Sequence, residues 1–89
     1  MAIVYRHKRK DTNEVFYVGI GTTEKRAASY RVRNKMWHSV VEKAGGFEYD
    51  ILVCDLSWKE ACNEEKRLIA EYGRRDTNTG ILVNMTYVS

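Results

Sequence analysis

The segment 57–73 constrains this chain more than any other stretch. It opens on Ser57-Trp58-Lys59-Glu60, a capping box in which the serine hydroxyl and the glutamate carboxylate each satisfy a free N–H at a helix start, and it closes on Gly73 as a stop. At about 100° per residue, Trp58, Ala61, Cys62, Leu68, Ile69 and Tyr72 lie within about 60° of one direction, and that direction passes through Glu65. A carboxylate thus occupies the middle of an apolar stripe. Burying it without a partner costs several kcal/mol, so Glu65 must pair with an Arg or Lys, bind a cation, or sit where the stripe opens into a cleft. Glu64, about 100° away, has the ordinary solvated position.

The rest of the chain supplies something for that helix to lie on. Residues 3–8 and 15–20 are rich in β-branched and aromatic side chains, and the polar stretch 9–13 between them suits a turn, which predicts a β-hairpin. Alternation places Ile3, Tyr5 and His7 on one face of the first strand, and Val15, Tyr17 and Gly19 on one face of the second. An even register puts both tyrosines on the same side. Thr22 or Thr23 can cap a short helix reaching about residue 30. From Asn34 onward, Trp37, Val40, Val41 and Ala44 recur at i, i+3, i+4, i+7, predicting a second helix that Gly45-Gly46 ends and that places Trp37 in the core. Phe47, Tyr49, Ile51 and Val53 alternate with Glu48, Asp50, Leu52 and Cys54 as a third strand, and 81–85 reads as a short last one. Trp58 is expected to pack at the start of its helix. Together these elements give one α/β domain (α+β in type) over residues 1–89.

A chain of 89 residues has room for one domain with a modest core. It contains no apolar run long enough to span a membrane, and residues 1–5 are too short for a signal peptide, so the expected location is cytoplasmic, with Cys54 and Cys62 as plain core thiols. Residues 1–43 carry ten Lys/Arg against four Asp/Glu, whereas residues 44–89 carry five against eight. A basic first half attracts polyanions, and Arg6, Lys8, Arg9, Lys10, Arg31, Arg33 and Lys35 are the candidates for contacts to a nucleic-acid backbone; a solvated basic face is the alternative. Gly19-Ile20-Gly21 lacks the third glycine or the Gly-Lys-Ser/Thr of a phosphate-binding loop, and is expected to let substrate approach the backbone instead.

Ile3-Val4-Tyr5, Tyr17-Val18-Gly19, Arg26, Glu65 in Glu65-Lys66-Arg67-Leu68-Ile69, and Asn84 in Val83-Asn84-Met85-Thr86 follow one another in the order and spacing of the GIY-YIG nuclease superfamily, which the chain resembles over essentially its whole length. Ile3 stands where the family has its leading glycine and Val18 where it has isoleucine; neither change removes a reacting side chain. The resemblance implies a small three-stranded, mainly antiparallel sheet flanked by helices. It implies a divalent-metal-dependent endonuclease that hydrolyses phosphodiester bonds, acting on DNA with RNA not excluded. Glu65 would hold Mg²⁺ or Mn²⁺, since one hard carboxylate with water and phosphate is how Mg²⁺ is usually bound. Arg26 would meet the phosphate, with Tyr30 one turn further on the same helix face. Tyr5 would act as general base on the attacking water, Tyr17 would orient that water or share the role, His7 could accept a phenol proton, and Asn84 would fix the metal or Tyr5 through its amide. The expected state is a monomer or weak dimer, with sequence preference left to short loops or a targeting partner. The competing reading is a nucleic-acid-binding module that has the fold without turnover.

Overall fold

β1 (Ala2–Arg9) and β2 (Val15–Gly21) form the hairpin. Its turn is tied by Arg9 N–H to Glu14 O at 2.9 Å and by Asn13 N–H to Arg9 O at 2.8 Å. In this computed structural model, which describes residues 1–29, 33–73 and 82, β3 (Phe47–Leu56) pairs with the other edge of β1. The sheet order is β2-β1-β3 and both pairings are antiparallel. With α1 (Glu24–Ala28), α2 (Lys35–Ala44) and α3 (Trp58–Tyr72), the chain is an α+β fold built on a three-stranded sheet, as expected.

Both faces of the sheet are covered. On one side Ala2, Val4, Val18 and Ile20 meet Ala61, Leu68 and Ile69 of α3, with Leu82. On the other, Tyr5, Phe16 and Tyr17 meet Ala27 of α1 and Trp37 and Val40 of α2. The register sets Tyr5 opposite Gly19 and His7 opposite Tyr17, so the two tyrosines do share a face. Val15 departs from its expected place. Pairing jumps from His7↔Tyr17 to Lys8↔Val15, a bulge that keeps Phe16 beside Tyr17 and turns Val15 to the α3 side. A similar irregularity in β3 pairs Val53 with Val4 rather than leaving it on the face of Phe47 and Tyr49.

The helix ends are fixed locally. Asn34 accepts from Trp37 N–H at 2.8 Å to start α2, and Gly45, at φ 78°, closes it in the left-handed region. The capping box of α3 is complete: Ser57 N–H donates to Glu60 Oε1 at 3.0 Å and Glu60 N–H to Ser57 Oγ at 3.2 Å. α1 is shorter than expected. Thr23 occupies its N-cap without a side-chain capping bond, and the backbone turns extended at Ser29. Trp58 also departs from expectation, being 54% exposed. At the first position of α3 its side chain points back past the sheet, where it lines a shallow hollow with Met1, Thr22 and Leu56. Cys54 is exposed and Cys62 partly so, and both thiols are free. Of the predicted last strand only Leu82 is among the described residues; it is buried and donates its N–H to Gly73 O at 2.9 Å. Among the described residues no helix is long and apolar enough to cross a membrane.

His7 lies at the centre of the α1/α2-side core, fully buried, with the rings of Phe47, Tyr5, Tyr17 and Trp37 centred 4.7, 5.2, 5.3 and 5.7 Å away. The Trp37 indole N–H donates to its Nδ1 at 2.9 Å, and since indole can only donate, the proton of His7 sits on Nε2, which donates to Ala27 O at 2.6 Å. Burial pushes the His7 pKa down to about 3. The unfolded chain takes up this proton near pH 6.5 and the folded chain does not, so stability is full above about pH 6.5 and falls on acidification toward pH 3, by roughly 1.4 kcal/mol per pH unit. Urea unfolding of wild type and His7→Gln from pH 7 to 4 checks this: the acid slope should shrink by about one proton in the variant.

Candidate functional site

Two glycines in β2 give the site its floor. A Cβ on Gly19 would sit 2.5 Å from both Cζ and Oη of Tyr5, and a Cβ on Gly21 would sit 2.5 Å from Cγ of Arg26. The Tyr5 ring therefore lies flat across Gly19, and the Arg26 stem across Gly21. The space that the sequence reserved for substrate is taken by the chain's own side chains. Arg26 is half-buried, and among the described residues no carboxylate pairs with it.

Arg33, expected on the nucleic-acid-binding surface, instead turns inward. Its Nη1 donates to the hydroxyls of Tyr5 at 3.0 Å and Tyr17 at 3.4 Å. Nη2 donates to Arg26 O at 2.9 Å and Ser29 O at 3.0 Å, and Nε donates to Ser29 O at 3.1 Å. The guanidinium also stands 5.1, 5.7 and 5.8 Å from the ring centroids of Tyr17, Tyr5 and Trp37. This residue closes the last turn of α1 and joins the two phenols. No sequence spacing rule links position 33 to positions 5 and 17.

Glu65 falls, as its stripe predicts, among Ala61, Leu68 and Ile69 on the buried side of α3, and it is 0% exposed. Its charge reaches Tyr17. Burial pushes the Tyr17 phenol up, Tyr5 and Glu65 add to this, and Arg33 opposes it. Tyr17 consequently holds its proton and is suited to donating a hydrogen bond. Among the described residues there is no group of three or more His, Cys, Asp or Glu that could hold a metal ion.

The other expected residues that the structure describes have partners or places of their own. His7 has both ring nitrogens engaged with Trp37 and Ala27, leaving neither to take a phenol proton. Tyr30, Arg31 and Asn84 lie outside the described residues. Arg6 and Lys8 share Asp50 at 2.9 and 3.1 Å, holding its carboxyl below the usual range, and Arg6 also donates to the Tyr72 hydroxyl at 3.4 Å. Arg9 grips Asp11 through two bonds of 2.9 and 2.8 Å. Three of the expected phosphate contacts are therefore engaged by two acids of the chain itself, which leaves one positive charge in excess among them. Lys10 and Lys35 are exposed.

Adding a methyl group at the Gly19 floor tests the packing. Gly19→Ala should cost about 1–3 kcal/mol in urea unfolding and displace the Tyr5 ring, read as altered tyrosine NMR shifts. Against family models, curated proteins and solved structures, the chain finds no match.

Proposed function

We propose that this chain is a divalent-metal-dependent endonuclease acting on DNA in the cytoplasm, in keeping with its resemblance to the GIY-YIG nucleases. The observation that supports the reading best is the pairing of the Tyr5 and Tyr17 hydroxyls on one guanidinium, with the buried carboxylate of Glu65 acting on Tyr17 and Arg26, which has no carboxylate partner among the described residues, lying over Gly21 of the same strand. A phosphodiester repels hydroxide, so its hydrolysis needs charge neutralisation, a prepared nucleophile and a stabilised leaving oxygen.

In this reading Arg26 binds a non-bridging phosphate oxygen through its fork. Tyr17, protonated, donates toward the attacking water and orients it, and Tyr5 takes the proton from that water. Glu65 would hold Mg²⁺ or Mn²⁺, an ion that would polarise the phosphate and steady the leaving 3′ oxygen. The hard oxygen donors of a carboxylate match such an ion in chemistry. At 0% exposure, however, neighbouring side chains have to move aside before an ion reaches it.

That complete burial also favours a second reading. An acid sealed among Ala61, Leu68 and Ile69 can serve the fold alone, and the chain would then bind nucleic acid without turnover.

Supercoiled plasmid, with Mg²⁺ or with EDTA, separates the two. The nuclease converts plasmid to nicked circles in Mg²⁺ and not in EDTA. Glu65→Gln, which retains the side-chain volume and so leaves no cavity, should fold and lose cleavage. Arg26→Ala should slow cleavage about 10²–10³-fold. Binding to plasmid with no metal-dependent nicking on any substrate would establish the binding module instead.

A further inference from the structure

We infer that Arg33 is a positioning residue for the tyrosines of this site, holding the Tyr5 and Tyr17 hydroxyls on one nitrogen and supplying the positive charge against which one phenol gives up its proton. The inference rests on the reading that these tyrosines serve phosphodiester hydrolysis.

The fork geometry carries it. A guanidinium has five N–H donors fixed in one plane. Here Nε and Nη2 are spent on the carbonyls of Arg26 and Ser29, which sets that plane against the end of α1. The plane then directs Nη1 at both hydroxyls, at 3.0 and 3.4 Å. Carbonyls at a helix end are satisfied by any donor, water included, so closing α1 does not by itself call for a permanent cation. Among the described residues no carboxylate lies within 4.0 Å of Arg33. The charge is left to act on the phenols and on the rings of Tyr5, Tyr17 and Trp37.

Beside the phenols the Arg33 cation acts against its surroundings. Tyr17 is nearly fully buried, and burial disfavours its phenolate. The groups beside the pair are neutral His7 from β1, whose ring is centred 5.2 and 5.3 Å from those of Tyr5 and Tyr17, and Glu65 from α3, which acts on Tyr17; Tyr49 from β3 packs against the same cluster and donates its hydroxyl to Glu24 of α1 at 3.2 Å, and Arg26 from α1 acts on His7. Burial, the neighbouring phenol and Glu65 all work against ionising Tyr17, and Arg33 is the group that works for it. A lysine keeps the charge but cannot bridge two carbonyls and two hydroxyls with one planar fork. A glutamine keeps donors and loses the charge.

The test titrates the tyrosines of the full chain by NMR with labelled Tyr Cζ, assigned with Tyr5→Phe and Tyr17→Phe, in wild type, Arg33→Gln and Arg33→Lys. Arg33→Gln should raise the midpoint of at least one of the two phenols by about one pH unit or more. It should also lower the kcat of plasmid nicking with little change in KM, and move the alkaline rise of the pH–rate profile upward by the same interval. Arg33→Lys should keep the midpoints nearer wild type yet recover only part of kcat. Folding is followed by the Trp37 indole N–H resonance. If Arg33→Gln does not fold, Arg33→Lys carries the test through kcat, and a folded Arg33→Lys with full wild-type kcat overturns the inference. Unchanged midpoints in folded Arg33→Gln overturn the inference while leaving wild-type nicking, and the nuclease reading, intact. A wild type that nicks nothing overturns the nuclease reading and with it the purpose assigned to Arg33.

Discussion

β1 is the middle strand of the three-stranded sheet that the described residues form, so neither of its faces can be left to water, and its alternation decides what each layer contains. Val4 goes under α3 with Val18 and Ile20. Tyr5 and His7 go under α1 and α2, where a polar ring must be satisfied inside an aromatic cluster. Trp37 and the Ala27 carbonyl do this between them, which docks α1 and α2 through directed bonds as well as through area. Close packing does the rest: Tyr5 can lie down on β2 only because position 19 has no side chain.

The same constraint builds the site. With Tyr5 pinned over Gly19 and Tyr17 diagonal to it across the ladder, the two hydroxyls emerge where a single guanidinium reaches both. Arg26, stretched over Gly21, adds a second cation on the neighbouring strand position. Electrostatic preorganisation of this kind is what phosphoryl chemistry asks of a protein, because there is little covalent work for side chains to do beyond moving a proton and neutralising charge. Arg6, Lys8 and Arg9 contribute less than their charge implies, being tied to Asp50 and Asp11.

Much of this was legible in the residue order. The hairpin, the Gly45 and Gly73 stops, the capping box at Ser57, the burial of Trp37 and the position of Glu65 all follow from local periodicity, and local periodicity is what a single sequence records. Val15 escaped because a bulge reverses parity without any residue that announces it. Trp58 escaped because a helical wheel has no ends, whereas a real helix overhangs its sheet. Arg33 was the costliest miss: its partners stand 28 and 16 residues away, and a basic side chain beside a helix start looks like surface until the fold folds it in.

The claim on which the functional account turns is that Glu65 receives a divalent ion beside the phenols. Titrating the protein with Mn²⁺ and following paramagnetic broadening residue by residue measures this without reference to any substrate. The account predicts saturable broadening centred on Glu65 and spreading to Tyr17, Gly19 and Arg26, and abolished by Glu65→Gln. Broadening confined to surface acids such as Asp55 and Glu71, with the Glu65 neighbourhood untouched, would contradict it and leave that carboxylate as a part of the core.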